Sequence, residues 1–181
     1  PAMGQRALAH TVNIATLTDR LTYGDGWWSE ASNLGFPVAL YQEPLPFLVS
    51  AFLGISLGGA ELAPLVFKFM AALAVLLLPV GFYVGLRRAG LAPLEAALAS
   101  MMVPLVQGGV IDGLGPAAAL SKGLFGASWA HVFLPVVVGE LIALLQGRGR
   151  PVVAAVATAA LIGCQAFYAV ALFPVLAIVV V

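Results

Sequence analysis

The chain has 181 residues, of which 62% are hydrophobic and only 9% charged, with a mean hydropathy of +1.06. Soluble domains carry about a quarter charged residues, so an ordinary globular domain is excluded and an integral membrane protein is indicated. A net charge of zero argues against a nucleic-acid partner, and the single cysteine, Cys164 in an apolar run, leaves no disulfide framework and no thiolate zinc cluster.

Most of the polarity lies in residues 1–43. There His10, Ile14, Leu17 and Leu21 recur at helical spacing, with Asn13, Thr16, Asp19 and Arg20 elsewhere around the wheel. The pattern predicts a modestly amphipathic helix at a membrane interface. "YGDGWW" ends it, because Gly24 and Gly26 are turn residues, and Trp27 and Trp28 suit the headgroup layer. The stretch "SNLGFPVALYQEPLPF" follows, at residues 32–47. Gly35 and Pro37 fix a turn there, and Pro44 and Pro46 are expected to deny the chain a regular helix until about Phe47. Tyr41 and Glu43 would then project from extended backbone. A plain connector has no need of Tyr41, Gln42 and Glu43 between such bends, so the run reads as a ligand-binding loop on the outer membrane face.

Residues 45–57 are apolar and end in "SLGGAE". At 1.5 Å per residue they reach only about 20 Å against a hydrocarbon core of roughly 30 Å, which predicts an interfacial or re-entrant helix. Residues 62–86 are long enough to span and end at Arg87 and Arg88. Residues 91–107 form a second expected span, opened by Pro93 near its first turn, and "GGVIDGLGP" begins the loop 108–124. Residues 125–145 form a third, ending in Gln146 and "GRGR" with Arg148 and Arg150. The apolar remainder is either one long tilted helix or two short ones, 151–164 and 166–181, meeting near "GCQ"; the hairpin is preferred. The fold expected is all-α, a polytopic transmembrane helix bundle with juxtamembrane helices in an outer loop. A start without Met and a stop inside "VLAIVVV" suggest part of a larger polytopic protein.

Short loops rich in Lys and Arg stay cytoplasmic, and two expected spans separate the arginine pairs, so both pairs fall on one side. The protein would then be multi-pass in the cell membrane, with residues 1–61 and 108–124 outside. Asp19, Asp25, Glu30, Glu43, Glu61 and Asp112 all fall on that outer side. Solvation of exposed loops is the plain cause. The sharper cause is a site for a cation, a metal-bound phosphate or a sugar.

"LTYGDGWWSEASNLGFPVALYQEPLPFLVSAFLG" resembles the first outer loop of the GT-C superfamily of membrane glycosyltransferases. More closely, it is similar to the bacterial and archaeal membrane proteins labelled pyruvoyl-tetrahydropterin-synthase-related. The matching positions are His10, Gly24, Trp27 or Trp28, Gly35-Phe36-Pro37, Tyr41 and Pro44-Leu45-Pro46. "IDGLGPAAALSKGLFGASWAHVFLPVVVG" resembles the second outer loop of that group. One departure stands out. GT-C enzymes usually carry an acid near the first-loop His, and "GQRALAH" holds Arg6 there. The base would then be an acid before residue 1, or Asp19 or Asp25, or the protein would catalyse nothing.

The resemblance implies transfer of a sugar from a polyprenyl-phosphate-linked donor at the outer face, with the bilayer and that lipid-linked sugar as partners. Such chemistry needs a carboxylate to take the acceptor's proton and positive charge or a divalent metal to steady the leaving phosphate. His10, Asp25 and Glu43 are the candidate catalytic residues. Arg6, Arg20 and Lys122 are candidate phosphate partners, and Trp28, Tyr41 and Asp112 complete the candidate substrate site. Each also has a plain reading, as a solvated loop charge or an interface anchor, and no metal ligand set is legible. Within the spans, Lys68, His131 and Glu140 are costly at bilayer depth unless paired or facing a wet cavity, and Glu140 is placed to reach the inner arginines. A multi-pass transporter or flippase is the rival class, since broken helices and intramembrane polar groups suit it too. A non-catalytic membrane scaffold is the third.

Overall fold

The computed structural model describes residues 5–24, 28–29, 36–37, 43–105, 125–168, 170 and 172. These residues are helical apart from the short connections and one pair of two-residue strands. Helix α1 (Gln5–Tyr23) buries Ile14 and Leu17 completely. Its apolar face packs on α2 (Pro44–Leu57), on the 3-10 turn Ala60–Leu62 and on α3 (Ala63–Ala89). The stripe expected to face the interface is therefore largely covered by protein, while Leu8, Val12 and Tyr23 are the large apolar residues that α1 leaves exposed. Between α1 and α2, β1 (Trp28–Ser29) pairs antiparallel with β2 (Phe36–Pro37).

Helix α2 begins at Pro44, three residues earlier than the prolines were expected to allow. The reason is positional. The first turn of a helix has no intrahelical use for its N–H groups, so Pro44 and Pro46 forfeit nothing there. Glu43, expected on extended backbone, is instead left-handed, at φ +36° and ψ +63°. At its other end α2 stops where "SLGGAE" indicated: Gly58 and Gly59 both take φ +130°, and both N–H groups donate back to the Gly54 carbonyl.

Helix α3 and the 3-10 turn before it make a 30-residue apolar run, Ala60–Ala89, and α5 (Phe125–Leu145) makes one of 21 residues. Both are long and apolar enough to cross a membrane. The outward side of α3 is apolar as well, with Leu65, Phe69, Leu76 and Val80 exposed. Helix α4 (Pro93–Met102) continues as a 3-10 turn to Leu105. The second expected span is thus helical over 13 residues, Pro93–Leu105, and reaches about 20 Å; residues 106 and 107 lie outside the described residues. Helix α6 (Pro151–Cys164) is of similar length and ends at Gln165, which is extended, before the chain turns helical again over 166–168.

Glycines set the central packing. A side chain at Gly81 would overlap the Val132 carbonyl, one at Gly85 the Pro135 carbonyl, and one at Gly139 the Gly85 carbonyl. These pairs advance together along both helices, so α3 and α5 run parallel and in backbone contact. Gly81-Phe82-Tyr83-Val84-Gly85 is a small-xxx-small pattern, which permits this approach.

The parallel pairing brings both arginine pairs to one end. Arg88 Nε donates to Glu140 Oε1 at 2.5 Å, and its Nη2 donates to Oε2 at 2.9 Å and to the Arg148 carbonyl at 3.4 Å. The Arg150 N–H donates to Glu140 Oε2 at 3.2 Å. Arg87 and Arg88 also occupy the last turn of α3, where cations suit the helix dipole. Gly90, at φ +112°, closes that helix through the Leu86 carbonyl.

Candidate functional site

The opposite end of the α3–α5 pair is where Glu43 lies. Its Oε2 accepts the Gly126 N–H at 2.7 Å, a contact between residues 83 apart in sequence. Gly126 sits in the first turn of α5, where backbone N–H groups have no intrahelical acceptor and the dipole favours negative charge. The close approach requires glycine, because a Cβ at 126 would overlap the Glu43 carboxyl. Burial pushes the Glu43 carboxyl up to about 7, and the Gly126 hydrogen bond pulls it back only in part. Glu43 is also the one non-glycine residue with positive φ among the described residues. A residue before proline ordinarily favours extended backbone, so this conformation is held by its surroundings at a cost of order 1–3 kcal/mol.

His10 stands over the same corner. Its ring lies 5.3 Å from that of Phe47, 6.1 Å from Phe67 and 6.0 Å from Phe125. Phe47 is one turn beyond Glu43, and Phe125 immediately precedes Gly126. The three phenylalanines are almost wholly buried and touch one another through Phe125, at 5.6 Å from Phe47 and 5.3 Å from Phe67. They weld α1, α2, α3 and α5 into the frame that holds Glu43. Of the three candidate catalytic residues, His10 therefore lies within the aromatic cluster and Glu43 bonds to the residue next to its Phe125.

The remaining candidates divide. Arg20 lies on the last turn of α1, ten residues from His10 and about 15 Å along the axis, so it is not gathered with His10 and Glu43. Arg6 is on α1 one turn before His10, and Trp28 is in β1 opposite Pro37; the side chains of both lie outside the described residues. Asp25, Tyr41, Asp112 and Lys122 lie outside them altogether. Among the described residues no three His, Cys, Asp or Glu side chains come together to hold a metal ion.

Several contributors carried no signal in the sequence. Gly126 and Trp129 stand in the sequence only as part of the expected span 125–145. The Trp129 Nε1 is buried one turn along α5 from Gly126 and has no hydrogen-bond partner among the described residues. Buried indoles usually find one. Leu45 of α2 packs where a Cβ at Gly163 would stand, which brings the end of α6 to this corner, and Cys164 lies within electrostatic reach of Glu43. Further along α5, His131 is buried, with Nδ1 2.6 Å from the Ala127 carbonyl and its ring edge-on to Tyr168 at 5.0 Å.

No family model, no curated protein and no solved structure matches the chain.

Proposed function

We propose that the chain is part of a multi-pass membrane glycosyltransferase that moves a sugar from a polyprenyl-phosphate donor at the membrane end opposite the arginines, with Glu43 as general base. The observation that carries this reading is the Glu43 carboxyl itself: half-buried, held on strained backbone by the Gly126 N–H, and pushed up to about 7. A general base works best with a pKa near the working pH. Further support comes from the Gly-Pro-aromatic loop that leads into Glu43, and from helices that are apolar inside and out.

In this mechanism the Glu43 carboxylate takes the proton of the acceptor hydroxyl as its oxygen bonds to the anomeric carbon. The bond from that carbon to the phosphate oxygen breaks, and the electron pair leaves with the lipid phosphate. Arg6 and Lys122 are the cations proposed to steady that phosphate, and a divalent metal would serve the same end; Arg20 stands too far along α1 to join them. His10 borders the acceptor side through the phenylalanine cluster. The indole N–H of Trp129 is a further donor for a substrate hydroxyl.

The test is transfer by the full-length protein in membranes containing a polyprenyl-phosphate sugar. Glu43→Gln should lower turnover by a factor of about 10² to 10⁴, and His10→Ala should lower it by less. Insertion, checked by extraction from membranes, should be unaffected in both. Undiminished transfer by Glu43→Gln would move the base to Asp19, Asp25 or another acid. A protein that binds no lipid-linked sugar would favour the transporter or scaffold reading.

A further inference from the structure

Helices α3, α5 and α6 enclose a cleft of about 420 Å³ whose lining is wholly apolar. Val80 and Val84 of α3, Val132 and Val136 of α5, and Val156 and Ala160 of α6 form its walls. β-Branched valines have few rotamers to lose, so the walls are stiff. Val80 and Val156 are both exposed, and the cleft therefore opens sideways from the bundle. Its size falls within the roughly 300–1,000 Å³ of small-ligand sites.

The cleft lies in the half of the molecule that ends in arginines. Val84 is one turn before Arg87 and Arg88, and Val152, also in the lining, is two residues after Arg150. Four arginines, at 87, 88, 148 and 150, stand at this end against Glu95 and Glu140. Arg88 is committed to Glu140, and Glu95 caps α4 by accepting the Ala92 N–H. Arg87, Arg148 and Arg150 are exposed beside them. An apolar slot with a cationic rim at one end matches an amphiphile with an apolar chain and an anionic head. Guanidinium groups suit a phosphate best, since their paired donors fit two of its oxygens.

We infer that this cleft binds one acyl chain of an anionic phospholipid, whose phosphate rests among Arg87, Arg148 and Arg150. The site is separate from the Glu43 corner, and the inference rests only on the membrane part of the proposed function. Lipid in the slot would fill the gap between α3 and α6 and tie the two arginine loops together.

The experiment is native mass spectrometry of the full-length protein released from nanodiscs that hold equal phosphatidylglycerol and phosphatidylcholine with identical chains. Each arginine near an anionic head is worth about 1 kcal/mol, or roughly fivefold, so the first bound lipid should be phosphatidylglycerol by about tenfold or more. Arg87→Gln, Arg148→Gln and Arg150→Gln together should bring the two lipids to parity within about twofold, with the Arg88–Glu140 pair left in place. Val156→Trp should remove the bound lipid by filling the cleft, and Ala160→Leu provides a second, milder filling. Parity in the unaltered protein, or a preference that survives the arginine changes or both filled clefts, would overturn the inference. So would disulfide-linked dimers formed through Val156→Cys in vesicles, since a second copy would then cover the cleft. Partition of the protein into the aqueous phase of a detergent-separated extract would instead reject the membrane reading itself.

Discussion

Glu43 and Glu140 stand near opposite ends of α5, and their surroundings have little in common. Glu140 receives two hydrogen bonds from Arg88 and a third from the Arg150 N–H, and its side chain is only 3% exposed. Glu43 receives one, from Gly126, and among the described residues no cation pairs with it. The first is fully satisfied. It ties α3 to α5 and joins the two arginine loops, and it has no reason to change its charge. The second is strained, half-buried and poised to exchange a proton. Under the proposed function, what surrounds each carboxylate, rather than how deep it lies, decides which of the two acts as the base.

The two ends should separate completely in a membrane. Cysteines at Glu61 and at Gln146 lie near the Glu43 end and the arginine end. An impermeant thiol reagent on intact cells should label the first and leave the second unlabelled until the membrane is opened. Equal labelling of both without permeabilisation would place both ends on one face and end the comparison.

The next effect in size is on transfer. Glu43→Gln and Gly126→Ala should each lower turnover by about 10² to 10⁴, the second because its methyl group would displace the carboxyl. Glu140→Gln lies 14 residues along α5, about 21 Å from Gly126, and effects at such separation are usually independent. It should lower the unfolding midpoint yet leave transfer per inserted molecule within about twofold. A Glu140→Gln protein that folds normally but transfers no sugar would make the two carboxylates one system.

Stability should depend on pH through Glu43. Its folded pKa is raised from 4.5 to about 7, so the folded state binds the proton more tightly than the unfolded state does. That contribution is fully present below about 4.5 and is lost as pH rises through about 7, by roughly 3 kcal/mol in all. The unfolding midpoint in detergent should therefore fall between pH 5 and 8, and Glu43→Gln should flatten the fall. An unchanged slope in Glu43→Gln would assign the titration to another group. Transfer should move the other way, rising through about pH 7 as the base loses its proton.

The arginine end was more legible in the sequence than the site end, for a physical reason. Charge pairs beside long apolar runs, Gly58-Gly59 after α2 and the spacing of Ile14 and Leu17 are local patterns, and each has a local consequence in the structure. The reach of Glu140 toward the arginines follows from its place on a single helix. The Gly81-xxx-Gly85 approach was also open to reading, since only small residues let two backbones meet. Glu43 was picked out from its loop, but its left-handed backbone and its bond to Gly126 come from tertiary packing between segments 83 residues apart. No periodicity encodes that contact. The tightening of the second expected span to a 3-10 turn at Val103 was equally silent in the sequence, because apolar composition runs through it unchanged.

The smallest expected effect concerns how the site end is held. Among the described residues the Glu43 corner has no ion pair like that of Arg88 and Glu140, so α1 and α2 must locate it by packing. Thr18 of α1 is buried against Gly54 of α2, and a Cβ on Gly54 would lie 2.9 Å from its Oγ1. That hydroxyl cannot easily turn away, since it donates to the Ile14 carbonyl at 2.8 Å. Gly54→Ala gains about 0.5–1 kcal/mol of helix propensity and meets an overpacking cost of typically 1–3 kcal/mol. The net should be a loss of about 1 kcal/mol. Thr18→Ala removes the obstructing oxygen, so the double variant should recover what Gly54→Ala loses beyond the cost of Thr18→Ala alone. The coupling, read from unfolding midpoints of the four proteins, should be about 1 kcal/mol in the stabilising direction. Strict additivity would mean that α1 and α2 do not meet at this point, and the Glu43 end would need another support.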